Sequence, residues 1–148
     1  MNLLEELYQK AHDADIDVFY LNLGCNTKAM CGTRDGLRGI ALNRGNIESA
    51  AEERVVLAEE ITHFETGLLY KVTTNCNTHQ ERVRFRKLEA KVKNATVKKI
   101  LPAIDIIECA CKGISSRYEM AEELSVTEEF LDYAIKYYKQ KGVELNLA

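Results

Sequence analysis

The first stretch that could do chemistry is a charged helical segment, Val55–Gly67, which reads VVLAEEITHFETG. Glu59 and His63 lie four positions apart, so a helix places their side chains on one face, one turn apart. Two ligands at that spacing can bind one metal ion, and Glu60 can then reach a water molecule at that ion. The segment thus has the zinc-peptidase pattern H-E-x-x-H with glutamate in the first position.

On residue chemistry alone, a solvated charged helix face with a surface histidine is the favoured interpretation of this segment. Pairs of glutamates four positions from a histidine are common on solvated helix faces, where they bind nothing. A further acid, Glu81, follows in the sequence HQERVRFRKLEAKV, and two rival metal ligands, Cys76 and His79, closely precede it. A loop thiol and a histidine at a helix start are the ordinary interpretation of those two residues.

The elements that must position these residues can be predicted from the hydrophobic spacing of the first 67 residues. Apolar positions recur at helical spacing over 3–13, and IDVFYLNL alternates as a strand does. The following stretch, GCNTKAMCGTRDG, is polar and typical of turns, and LRGIALN is a short strand in which Gly39 indicates a bulge or a close backbone approach. A helix is expected from about Ala50 to His63, capped by Asn46 or Ser49 and stopped by Gly67.

The second half of the chain is predicted to be helical throughout. Thr78 and Glu81 have capping-box spacing ahead of a basic helix over roughly 79–94. A helix over 96–111 has Pro102 near its start or at a kink. Two further helices meet at a turn over 125–127, with Thr127 as N-cap and Gly142 as the C-terminal stop. The layout is that of an α+β protein with a helical C-terminal extension.

Composition and charge narrow the classes of function. The 148 residues are 46% hydrophobic and 29% charged, which indicates a folded globular domain. The net charge of −3 disfavours nucleic acid and anionic membrane surfaces as partners. No segment reaches the roughly 18 apolar residues of a membrane span. The chain has five cysteines, and this odd number favours reduced thiols. The first segment is acidic and unlike a signal peptide, which favours a cytoplasmic location.

The two C-terminal helices allow one competing interpretation. Two helices across a tight turn can form a DNA-reading helix-turn-helix. The second of them, however, begins with Glu128 and Glu129, and acids at that position repel phosphate. A packing or dimerisation role is therefore favoured for this pair.

Three stretches make the chain resemble small phage or mobile-element members of the ImmA/IrrE metallo-endopeptidase family. The segment EERVVLAEEITHFETG is close to the family pattern E-R-x-x-L-A-E-E-L-G-H-H, and several small members have glutamate at the first ligand position. HQERVRFRKLEAKV resembles the family's third-ligand helix, and GISSRYEMAEELSVTEEFLDYAIKYYKQK resembles its C-terminal tail. The resemblance covers roughly residues 5–141.

This resemblance implies a zincin-like minimal metallopeptidase domain over 1–100, with a small sheet packed on helices, and a helical C-terminal extension over 101–148 packed on it. Glu59, His63 and Glu81 would be the metal ligands, and Glu60 the base that deprotonates the attacking water. The substrate would be a helix-turn-helix repressor of a phage or mobile element. The short strand LRGIALN could accept an extended substrate as an added strand.

Glutamate in the first ligand position has a chemical consequence. Zinc favours nitrogen and sulfur ligands, so two carboxylates and one imidazole should bind Zn²⁺ more weakly and make Mn²⁺ a plausible alternative. A catalytically weak or inactive module that binds a repressor without cleaving it is the alternative function. The sequence leaves the oligomeric state open.

Overall fold

A computed structural model describes residues 1–22, 24, 26–68 and 78–147 of the chain. The described residues form an α+β fold with six α-helices, a short 3-10 turn at Arg44–Asn46 and a three-stranded sheet. In chain order the elements are α1 Leu3–Asp13, β1 Ile16–Leu21, β2 Ala29–Arg34, β3 Leu37–Asn43, α2 Ala50–Thr66, α3 His79–Ile100, α4 Ala103–Cys111, α5 Arg117–Leu124 and α6 Glu128–Gln140.

The sheet has the order β1-β3-β2, so β3 is its central strand. β3 pairs in parallel with β1, where Ile40 faces Val18, and antiparallel with β2, where Ile40 faces Cys31. The substrate-accepting role considered for LRGIALN is therefore wrong, because both edges of β3 already carry ladder hydrogen bonds. An added strand could pair only with an outer strand.

Strand β2 was missed by the sequence interpretation, which assigned its residues to turns. Its sequence, Ala29–Arg34, contains Gly32 and has little alternation of apolar residues. Its strand conformation comes from pairing with β3, a tertiary contact that outweighs weak local preference. The close approach expected at Gly39 is confirmed, since a Cβ there would lie 3.2 Å from the ring of Phe19 on β1.

The hydrophobic core joins the sheet, α2 and the C-terminal helices. Ile40 and Leu42 of β3 are fully buried, as are Leu57 and Ile61 of α2. The same cluster includes buried residues from α5 and α6, namely Met120, Ala121, Phe130, Leu131, Ala134, Ile135 and Tyr138. The packing role favoured for the C-terminal pair is confirmed for the apolar face of α6.

Most of the predicted helix boundaries are confirmed by the capping contacts. The Thr78 side chain accepts from the Glu81 N–H, the Glu81 carboxylate accepts from the Thr78 N–H, and Thr127 caps α6. Helix α3, however, continues without a break to Ile100, beyond the predicted end near 94. It stops there because the residue before Pro102 is pushed out of the helical region, and α4 starts after that proline.

A buried arginine fastens α2 to two other helices. Arg54 is 6% exposed, and its guanidinium donates to the carbonyls of Ile100 (3.1 Å), Leu124 (3.1 Å) and Ser125 (3.0 Å). These carbonyls lie at the C-terminal ends of α3 and α5, where the helices leave acceptors without internal partners. Arg54 thereby fixes how α2, which carries the E-E-x-x-H segment, sits against α3.

Candidate metal and proton-transfer site

Helix α2 positions the three residues of the E-E-x-x-H segment in its last two turns. The helix begins at Ser49, one of the two predicted caps, whose hydroxyl accepts from the Glu52 N–H at 3.1 Å. It ends at Gly67, which has the left-handed backbone (φ 70°) common after helix C-termini. Between these ends, one turn separates Glu59 from His63, as the sequence predicted.

The His63 imidazole is buried and held by the backbone just after α2. It is 5% exposed, and its Nδ1 lies 2.7 Å from the carbonyl oxygen of Leu68. A carbonyl can only accept, so Nδ1 carries a proton and donates it to this hydrogen bond. Nε2 lies 4.0 Å from Oε1 of Glu89 on α3. Metal-binding histidines commonly have this arrangement, with the far nitrogen donating to a carbonyl.

Glu59 sits in a half-buried position among like charges. Burial, followed by the negative charges of Glu60 and Glu89, raises the pKa of its carboxyl to about 7, although Lys93 on α3 and His63 oppose the rise. A carboxyl with this pKa is only partly ionised at neutral pH. A bound cation would favour the ionised form, as it does for any ligating carboxylate.

Glu60 faces the sheet, where its neighbour is a thiol. Burial raises the pKa of the Glu60 carboxyl, and a hydrogen bond from the Cys31 side chain on β2 opposes that rise. Burial and the negative charge of Glu60 in turn raise the pKa of Cys31, so this thiol stays protonated and acts as a donor. A carboxylate with a raised pKa is a stronger base than one in water, which suits proton abstraction.

Glu81, the third ligand implied by the resemblance, lies elsewhere on α3. Its side chain is exposed and accepts a hydrogen bond from the Thr78 N–H at 3.3 Å, as the second half of a capping box. Eight residues, or about 12 Å of helix, separate it from Glu89. His79 is exposed in the same first turn, and Cys76 lies outside the described residues. The ligand roles of Glu81, His79 and Cys76 stay predictions.

The donors partly fit the implied metal. Within the described ranges, no three His, Cys, Asp or Glu side chains are grouped so that they could hold one ion. Glu59, His63 and Glu89 interact electrostatically with one another, and two carboxylates with one imidazole are an oxygen-rich set of donors for a divalent cation. The three carboxyls of Glu59, Glu60 and Glu89 also act electrostatically on one another. The ammonium group of Lys93 acts on Glu59 and leaves an excess of negative charge. A bound divalent cation would offset that excess.

Sequence reasoning missed Glu89, Cys31 and Lys93. Glu89 had a usable signal, because it and Glu81 are the two acids of the otherwise basic α3. Cys31 had no such signal, since its strand was assigned to turns, and Lys93 was counted only as part of a basic surface.

No family profile, curated protein or solved structure matches this chain. Among the described residues, no helix combines the length and the apolar character that crossing a bilayer requires.

Proposed function

We propose that this protein is a cytoplasmic, zincin-like metal-dependent endopeptidase. The observation that carries the proposal is the setting of His63, whose Nδ1 lies 2.7 Å from Leu68 O and whose Nε2 lies 4.0 Å from the Glu89 carboxylate. A surface histidine on a charged helix would need neither burial nor a backbone acceptor. A buried imidazole that is oriented by a backbone carbonyl and has its other nitrogen beside a carboxylate supports a ligand role.

The cation would be held by Glu59 and His63 from α2 and by Glu89 from α3, after side-chain movements that bring these three donors to one point. Glu81 could take that place only if its carboxylate left the Thr78 cap. A divalent cation bound there supplies Lewis acidity, which makes a nearby water more acidic and polarises a peptide carbonyl. The oxygen-rich donor set favours Mn²⁺ beside Zn²⁺.

Glu60 is the base in this proposal. It follows the first metal-binding position directly, and both the Cys31 thiol and His63 act on its carboxyl. Its carboxylate accepts the proton of the attacking water and passes it to the leaving amine nitrogen. The hydrogen bond from Cys31 holds the carboxylate against β2, so we treat Cys31 as a positioning residue.

Strand β2 offers a platform for an extended substrate. It is an outer strand of the sheet, since its described partner is β3 alone. Cys31, in the middle of β2, is in contact with Glu60, which brings this strand beside the proposed base. A peptide that pairs with β2 would have its backbone next to Glu60. By resemblance, its source would be a helix-turn-helix repressor.

A peptide library made by digesting a bacterial proteome tests this function. The library is incubated with the protein and MnCl₂ or ZnCl₂, and new peptide termini are identified by mass spectrometry. We expect new peptide termini with the wild-type chain. The Glu60→Gln variant should produce none while it still binds metal, and the His63→Ala variant should lose both the cleavage and the bound metal. Bound metal without new termini in the wild type would refute the endopeptidase and favour the non-cleaving binding module.

A further inference from the structure

The first half of α3 is a basic arm whose side chains are largely in solvent. No residue from His79 to Lys91 is buried, whereas Val92, Thr96, Val97 and Ile100 are. The whole chain is acidic, with a net charge of −3, yet residues 81–91 of α3 include five Arg and Lys side chains against two acids, Glu81 and Glu89. This positive charge is thus concentrated in one place.

The cations of the arm divide between two faces of the helix. At 100° per residue, Arg82, Arg86, Glu89 and Lys93 fall within a sector of about 60°. We call these four residues the cleft stripe. Arg84, Lys87 and Lys91 fall on the far side of the helix, and all three are exposed. The two groups of side chains have similar charge but lie on opposite faces of α3, so substitutions in one group can serve as a control for substitutions in the other.

Two contacts show that the cleft stripe leads into the candidate site. Glu89 lies 4.0 Å from Nε2 of His63, and Lys93 acts electrostatically on Glu59. Arg82 and Arg86 continue the same line outward, toward the N-terminal end of α3. In the part of the chain that the structure describes, neither arginine makes an ion pair.

We propose that Arg82 and Arg86 select substrate segments that carry acidic side chains beside the bond to be cut. This inference rests on the proposed endopeptidase function and names its substrate class. Glu59, Glu60 and Glu89 repel an acid placed at the site itself, whereas the two exposed guanidinium groups attract one further out. Guanidinium groups pair well with carboxylates because they donate two parallel hydrogen bonds.

The helix geometry sets where those acids should be. Arg86 is about 4.5 Å and Arg82 about 10.5 Å along the helix from Glu89, at 1.5 Å per residue. A substrate segment that runs beside α3 in an extended conformation advances about 3.3 Å per residue. Acidic residues are therefore expected about one to three positions from the cut bond, on one side of it.

The test uses the same proteome-derived peptide library, with binding and cleavage measured separately. The full-length Glu60→Gln chain, loaded with Mn²⁺, is immobilised, and captured peptides are compared with the input. We expect peptides with two or more neighbouring acids to be enriched about three- to tenfold, as for one or two solvent-exposed ion pairs. Adding R82Q and R86Q should remove the enrichment, and adding R84Q and K87Q should leave it.

Each outcome has one meaning. The inference is overturned, whatever the cleavage result, if captured peptides show no enrichment in acidic residues. It is also overturned if R84Q with K87Q removes that enrichment as completely as R82Q with R86Q does. Acidic capture that depends on Arg82 and Arg86, without cleavage by the wild type, supports the inference about the partner and refutes the endopeptidase. The endopeptidase function and the acidic substrate class are both supported if the wild type cleaves peptides with acids one to three positions from the cut bond and the variant with R82Q and R86Q loses this preference.

Discussion

The imidazole Nε2 of His63 lies 4.0 Å from the Glu89 carboxylate, across the interface between α2 and α3. Glu89 is thus the carboxylate of α3 that reaches the E-E-x-x-H segment, whereas Glu81 is bonded to the cap at the start of the helix. The geometry therefore favours Glu89 as the third ligand of the proposed metal site, whereas the resemblance favours Glu81.

Substituting Glu89 should weaken metal binding, and substituting Glu81 should not. We expect Glu89→Gln to raise the Kd for Mn²⁺ by at least about tenfold, because an amide is a weaker donor than a carboxylate. Glu81→Gln is a matched control, since glutamine also completes a capping box. Isothermal titration calorimetry measures both. A tenfold loss in Glu81→Gln with none in Glu89→Gln would contradict the geometric assignment and support the one from resemblance.

The contribution of Glu59 to the stability of the metal-free protein should fall as the pH rises from 4.5 to 7. Folding raises its pKa from the ordinary 4.5 to about 7, so the folded state holds the proton more tightly. This favours folding below pH 4.5, and the contribution is lost as the pH rises through 7. The groups that face this carboxyl are Glu60, Glu89, His63 and Lys93.

The variant Glu59→Gln should remove this pH dependence. Relative to the wild type, it should show no gain in the free energy of unfolding near pH 4.5 and a gain of at most about 3 kcal/mol at pH 8. Urea unfolding at several pH values, with a chelator present, measures the difference. Glu108→Gln, on the exposed side of α4, is the control. A constant difference between Glu59→Gln and the wild type across this range would show that burial does not perturb Glu59.

Replacing Arg54 should destabilise the whole fold. Arg54→Met keeps most of the buried volume but leaves the carbonyls of Ile100, Leu124 and Ser125 without their donor. We expect a loss of about 2–4 kcal/mol in the free energy of unfolding. Arg84→Met, at an exposed position of α3, should change it by less than about 0.5 kcal/mol. Equal effects in urea unfolding would mean that Arg54 does not fasten α2.

The Cys31 thiol should react slowly with alkylating reagents. Burial and the charge of Glu60 raise its pKa, so little thiolate is present at pH 8. Exposed Cys111 provides an internal reference in the same digest. Mass spectrometry after timed iodoacetamide treatment should show faster labelling of Cys111, and Glu60→Gln should speed the labelling of Cys31. Cys31 labelling that is as fast as that of Cys111 and unaffected by Glu60→Gln would contradict the contact.

Local signals were sufficient to predict most helices but not the contacts between them. The Thr78–Glu81 capping box and the Thr127 cap depend on residues within four positions, and both were predicted. Strand β2 depends on β3, and the approach of Glu89 to His63 depends on how α2 and α3 pack. Both are consequences of tertiary structure that no short window of sequence contains.

The resemblance also predicted more of the site than the residue chemistry did. It assigned Glu59, Glu60 and His63 to roles that the pattern E-E-x-x-H alone left open. It assigned the third ligand role to Glu81, the acid at the start of the basic segment. The position of a side chain along a 22-residue helix decides what it can reach, and that depends on the crossing of α2 and α3.

The metal content of the purified protein tests the central claim most directly. The wild-type chain is incubated with Mn²⁺ or Zn²⁺, dialysed and analysed by inductively coupled plasma mass spectrometry. We predict one ion per chain, retained in His79→Ala and lost in His63→Ala, with circular dichroism showing that both variants are folded. A wild-type protein that keeps neither metal, or a His63→Ala variant that keeps it fully, would contradict the account.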